Sequence, residues 1–112
     1  PYVPTPYMVL RKMFQTLGQL KLKDATFVDY GCGSGRVLKM AERNGYANRI
    51  GVEIHEELIA EAKKHDATSL FLHQCASHSI AHHLRNESAT VHYFFNPFSG
   101  PILKQTLMHI HD

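Results

Sequence analysis

A doubly wound α/β fold, built on one mainly parallel sheet with helices against it, is the architecture this sequence predicts, on three observations. Short apolar runs of strand character alternate with stretches of helical spacing along the chain. The first run passes straight into the glycine-rich turn of "VDYGCGSGRV" at 28–37. The second closes on an acid, Glu53, 24 residues beyond Asp29. With 112 residues the chain holds a single domain, 1–112, and no second one.

The elements follow in order. Thr5-Pro6 opens a helix over 6–20, threonine as cap and proline at the first helical position, where it loses no bond. Leu10, Met13, Phe14, Leu17 and Leu20 give that helix one buried face. Residues 25–29 are short, apolar and partly β-branched, a buried strand entering a tight turn. Val37, Leu38 and Ala41 form the stripe of the next helix, which Asn44-Gly45 ends. Residues 49–54 read as a second strand, and 56–65 as a helix with acids in its first turn and lysines in its last, as the helix dipole favours. A third strand lies at 69–75. Ser77 caps a short helix reaching about Leu84, and 91–95 makes a fourth strand ending in Asn96-Pro97-Phe98. Leu103, Leu107 and Ile110 then resume helical spacing over 101–111.

Composition excludes more than it assigns. At 44% hydrophobic and 20% charged residues the chain is an ordinary globular sequence, not a disordered or fibrous one. Lys and Arg exceed Asp and Glu by two, so charge alone predicts neither nucleic acid nor an acidic membrane as partner. Two cysteines, Cys32 and Cys75, make neither a disulfide framework nor a zinc spacing, which suits a reducing compartment. No apolar run approaches the roughly 20 residues of a membrane span and no leader pattern is visible. The expectation is a soluble, cytoplasmic protein.

Gly31, Gly33 and Gly35 sit where a doubly wound sheet binds ligands, at the carboxyl end of a strand. Without Cβ they permit positive φ and let a ligand approach the main chain. The dinucleotide pattern G-x-G-x-x-G fails, because counting from Gly31 puts Arg36 at the third glycine and counting from Gly33 puts Leu38 there. What fits is D-x-G-x-G-x-G, from Asp29 to Gly35. That stretch resembles motif I of the class I S-adenosylmethionine-dependent methyltransferases. The likeness extends through a leading Y-x-P-T, "FVDYGCGSGRVL", "GVEI" and "FFNPF", and is similar to a group of small bacterial proteins of that class.

The resemblance implies a Rossmann-like sheet of strand order 3-2-1-4 and S-adenosyl-L-methionine as cofactor. It would put Tyr2 and Thr5 over the methionine end, Asp29, Gly31 and Gly33 against the amino acid portion and Glu53 on the ribose, with Cys32, Gly35, Ile54, Cys75 and Asn96 also among the cofactor-binding residues. Asn96, Pro97 and Phe98 stand where amino-group methyltransferases carry an Asx-Pro-Pro-aromatic motif, here with one proline. They would orient and pack the acceptor nitrogen, or form a plain turn. Nitrogen on a protein or a small amine is the favoured acceptor.

The chain departs from the family twice. Cys75, with Gln74 and Ser77 around it, replaces the strand-three Asp that holds adenine in many relatives, a loss of about 1 kcal/mol. The chain also stops after the helix expected at 101–111, which would leave strand four as an open apolar edge of Val91, Tyr93 and Phe95; either the chain is a fragment, or that edge suits a homo-oligomer or a partner chain. Two further readings stand beside the enzyme: a non-catalytic cofactor-binding or partner subunit, and a nicotinamide oxidoreductase domain. No metal site is expected, since His78 and His82 at helical spacing and His109 with His111 lack a third ligand in a fixed frame.

Overall fold

The computed structural model describes residues 6–22, 24–84, 89–96 and 100–107, with side chains placed for those up to 95. Five strands form one sheet in the order β3-β2-β1-β4-β5. The first four are β1 (Thr26–Tyr30), β2 (Asn48–Glu53), β3 (Leu70–His73) and β4 (Ala89–Asn96), joined by parallel pairings as the 3-2-1-4 order requires. Three helices alternate with them: α1 (Tyr7–Gln19), α2 (Arg36–Arg43) and α3 (Glu56–Lys63). The register Tyr30↔Val52, Tyr30↔Phe94 and Glu53↔His73 brings the carboxyl ends of β1 to β4 to one edge.

Strand alternation divides the core between the two faces of the sheet. On one face Phe27, Val91 and Tyr93 pack against Leu10, Phe14 and Leu17 of α1 and Leu38 and Ala41 of α2. On the other, Val28, Ile50 and Val52 meet Ile80. α1 begins after Pro6 and has no side-chain cap; Thr5 lies outside the described residues. Asn44 closes α2 and Gly45 follows at φ 92°, the ending its sequence implies.

Two predicted helices do not form among the described residues. Around 77–84 only one turn of 3-10 helix forms, Ala81–His83, with the Ser79 hydroxyl accepting from the Ala81 N–H at 3.2 Å. Ser77 does not cap it: its hydroxyl donates to the Cys75 sulfur at 3.2 Å. His78 and His82 therefore do not share a helical face.

The larger correction concerns the C-terminal segment. Residues Gly100–Leu107 form β5, antiparallel to β4 from Ala89↔Leu107 to Asn96↔Gly100. Apolar Leu103 and Leu107 satisfy a two-residue period as well as a helical one, and the unpaired backbone of β4 decides between them. Strand four is consequently not an open edge, and the edge lies on β5, where Pro101 is tolerated at the start of the strand.

A second buried cluster fixes β2 against the turn before β3. Arg49, 4% exposed, donates through Nε to the Ser69 hydroxyl (3.0 Å), through Nη1 to the Tyr46 carbonyl (2.6 Å) and through Nη2 to the Thr68 hydroxyl. Burial by itself would raise the Asp66 carboxyl, but hydrogen bonds from Ser69 and Thr68, with the nearby Arg49 charge, hold it below the usual carboxylate range. The guanidinium thus meets both charge and hydrogen-bond partners, as a buried cation requires.

Gly51, in the middle of β2, is where the packing tolerates no side chain. A Cβ there would lie 2.7 Å from Leu38 Cδ1, 2.8 Å from Cys32 Sγ and 3.1 Å from Phe71 Cδ1. Gly51→Ala is therefore expected to destabilise the protein by about 1–3 kcal/mol through overpacking. Urea unfolding measures it, and a change below roughly 0.5 kcal/mol would contradict this packing.

Candidate functional site

The glycine turn is held from behind by β2. The Gly31 and Cys32 N–H groups both donate to the Val52 carbonyl, at 2.7 and 3.0 Å, so the chain leaving β1 folds over the end of its neighbour. Gly31, Gly33 and Gly35 adopt φ of 83°, 54° and 90°, values that side-chain-bearing residues rarely take. Among the described residues, a Cβ built on Gly31 would meet nothing within 4 Å. At Gly35 the opposite holds: a Cβ would stand 3.1 Å from the Ala62 Cβ of α3, and this glycine serves packing.

Glu53 ties the turn to the end of β2. Its Oε1 accepts from the Gly33 N–H at 2.8 Å and its Oε2 from the His55 N–H at 3.0 Å, with the residue 6% exposed. Each carboxylate oxygen retains a further acceptor position beyond the one so used. Asp29, at the end of β1, is 2% exposed. Burial, and then the Glu53 charge, raise its pKa to about 8. Two acids thus lie close together at the strand ends, one of them costly to ionise in the absence of a cation.

Beside this pair, Ile54 is 60% exposed, an apolar surface next to the Glu53 carboxylate, and its carbonyl meets His73 Nε2 at 2.9 Å. The Gln74 N–H donates to the Glu53 carbonyl at 3.1 Å, which places Gln74 and Cys75 at the same edge. Gln74 Nε2 is buried and has no hydrogen-bond partner. The structure therefore brings together Asp29, Gly31, Cys32, Gly33, Gly35, Glu53, Ile54 and Cys75. Asn96 is the last residue of β4 and pairs with Gly100, at the same edge by its backbone. Tyr2, Thr5, Pro97 and Phe98 lie outside the described residues.

Sequence reasoning missed Gly51, whose bare backbone admits the Cys32 sulfur. The signal was a glycine inside a strand pattern, which marks close approach. It also missed the clamping role of Glu53, because a main-chain hydrogen bond to a side chain 20 residues away leaves no periodicity to read.

The two cysteines differ in kind. Burial, and then the charges of Asp29 and Glu53, push the Cys32 thiol far up, and its sulfur faces the Gly33 carbonyl at 3.7 Å. Cys75 is exposed, and the Ser77 hydrogen bond lowers its pKa. Ellman's reagent is therefore expected to titrate one thiol in the native protein: Cys75→Ser removes the signal and Cys32→Ser leaves it, whereas loss on Cys32→Ser would contradict the assignment.

The Asp29 shift carries a stability consequence. Its folded-state pKa lies above the unfolded value, so between about pH 4 and pH 8 the folded state holds the extra proton and stability falls as pH rises. Asp29→Asn is expected to raise the melting temperature of the ligand-free protein more at pH 8 than at pH 5. An equal change at both pH values would show that Asp29 ionises normally.

Residues 28–99 match the model of a methyltransferase domain. A protein-lysine N-methyltransferase from Saccharolobus islandicus (strain REY15A) is 40% identical over 63 residues, 55% of this chain and 38% of the relative, so the match spans about two fifths of that protein's length. Among solved structures, an RNA methyltransferase from Salinibacter ruber in complex with S-adenosyl-L-homocysteine superposes with a TM-score of 0.60 at 17% identity, covering 98% of this chain and 96% of that one. A methyltransferase from Thiobacillus denitrificans, also bound to S-adenosyl-L-homocysteine, gives 0.54 at 15% identity, over 83% and 50%. The fold, the glycine turn with its two acids and the family match over 28–99 agree: the chain belongs to the S-adenosylmethionine-dependent methyltransferases.

Proposed function

We propose that the protein transfers a methyl group from S-adenosylmethionine to an amine nitrogen, that of a lysine side chain on a protein. The observation that carries the cofactor half of this reading is the buried acid pair, Asp29 and Glu53, beside the glycine turn, where no described residue crowds Gly31. Carboxylates there repel a phosphate and attract a cation, which disfavours nicotinamide dinucleotides and suits an ammonium-bearing nucleoside. The acceptor half rests on the similarity to a protein-lysine N-methyltransferase and on Asn96-Pro97-Phe98.

When bound, S-adenosylmethionine supplies a methyl group on a sulfonium that is already a good leaving group, so positioning is what the protein must add. Glu53 has acceptor positions left for the ribose hydroxyls while its two amide bonds keep the turn in place. Asp29 would ionise against the cofactor's ammonium group, since a nearby positive charge lowers a carboxyl pKa. The buried Gln74 amide lacks a partner that an adenine ring nitrogen would provide, and exposed Ile54 offers the ring an apolar surface. Asn96 would accept a hydrogen from the target amine and direct its lone pair.

Incubating the protein with cell extract and cofactor labelled in the methyl group tests the reading. Label is expected in lysine residues of protein, reduced at least roughly 100-fold by Glu53→Ala, a loss of about 2.7 kcal/mol. Label in nucleic acid, or none in any fraction, would contradict it. S-adenosylhomocysteine is also expected to slow the reaction of Cys75 with thiol reagents; unchanged kinetics at saturating ligand would place the nucleoside elsewhere.

A further inference from the structure

The two acids at the strand ends share one face of the sheet and differ in what satisfies them. Strand alternation puts Asp29 on the face of Phe27, with Gly51 opposite it in register and Glu53 next along β2 on the same side. Glu53 receives an amide hydrogen on each oxygen, from Gly33 and from His55. Among the described residues no hydrogen bond reaches the Asp29 carboxyl, although the residue is only 2% exposed. Burial beside a second acid, with donors for only one of them, disfavours full ionisation, and the empty pair holds a proton.

The surrounding elements leave that proton where it is. β4 sets Tyr93 opposite Asp29, and the turn contributes Cys32, whose thiol is kept protonated by burial and then by both acids. α1 and α2 meet this face with apolar residues such as Phe14 and Leu38, and α3 buries Ile59. Arg36, just after the turn, lines the cleft beside Lys39 and Asp66, and Glu53 is the charged group that acts on Asp29. His55 and His73 stand at the same edge but are exposed, the first 3.7 Å from Glu57 and the second against the Ile54 carbonyl.

We propose that this crevice exchanges a proton for the ammonium group of its nucleoside ligand, and so discriminates by pH between nucleosides that carry an ammonium and those that do not. The exchange rests on the assignment of Asp29 to the cofactor's ammonium above. Before binding, the two acids share a proton and a single negative charge. On binding, the proton leaves an Asp29 oxygen for solvent and an ammonium N–H donates in its place. Two carboxylates and one cation then carry the same net charge as before, so the exchange leaves the crevice electrostatically balanced. Asp29 titrates at about 8 in the free protein and the ammonium lowers that midpoint, so affinity for such a ligand rises with pH and levels off above about 8. A nucleoside without the ammonium has no charge to set against a second carboxylate and gains nothing as pH rises.

Calorimetry of the full chain with S-adenosylhomocysteine and with 5′-methylthioadenosine, a related nucleoside thioether without the amino acid, tests this. S-adenosylhomocysteine is expected to bind at least roughly tenfold tighter at pH 8 than at pH 6, and 5′-methylthioadenosine no tighter. At pH 6.5, heats measured in PIPES and in imidazole, buffers of different ionisation enthalpy, should reveal release of about one proton with the first ligand and none with the second. Asp29→Asn should abolish both the release and the pH dependence while binding 5′-methylthioadenosine as the unaltered chain does, which shows the crevice intact. His55→Gln and His73→Gln should keep both. Binding of S-adenosylhomocysteine that is equal at the two pH values and releases no proton would overturn the proposal and leave methyl transfer standing. So would a pH dependence that survives Asp29→Asn or disappears with either histidine. Methyl transfer fails separately, if label enters no fraction of the extract, and an absence of S-adenosylhomocysteine binding at both pH values would overturn the exchange together with the cofactor site.

Discussion

The carboxylate of Glu53 is the constraint on which the rest of the site depends. By accepting from Gly33 on one oxygen and His55 on the other, it joins the turn after β1 to the start of α3 at 2.8 and 3.0 Å. Hydrogen bonds to a charged acceptor contribute about 1.5–3 kcal/mol each, and the one from Gly33 adds to the Val52 carbonyl bonds that hold Gly31 and Cys32 in a turn with three glycines at positive φ. The same carboxylate helps raise Asp29, so one residue shapes the turn and sets the electrostatics in front of it. Gly51 completes the arrangement from β2, because the Cys32 sulfur fills the place its missing side chain leaves.

This arrangement trades stability for binding. A buried acid beside a second acid is destabilising in the empty protein and favourable only when a cation arrives. Elsewhere the same chain buries charge with full compensation, as Arg49 does among Asp66, Ser69, Thr68 and the Tyr46 carbonyl. A satisfied buried cation thus stands at one end of β2 and a carboxyl pair that resists ionisation near the other, which is the end proposed for the ligand.

Most of the candidate site's arrangement was legible in the sequence because its determinants are local. Asp29, the three glycines and Glu53 sit at the ends of apolar runs, where strand, turn and helix follow one another without a break. Elements fixed by distant partners were not legible. Leu103 and Leu107 fit a helix and a strand equally well, and the free backbone of β4 selected the strand. His78 and His82 suggested a helical pair, yet the segment forms a single 3-10 turn after Ile80 packs under the sheet.

The most direct measurement of the central claim is a carbon-13 NMR titration of the Asp29 carboxyl, without and with S-adenosylhomocysteine. A midpoint near pH 8 in the free protein that moves well down on binding is the predicted result. An ordinary carboxylate midpoint in the free protein, or one that the ligand leaves in place, would contradict the account.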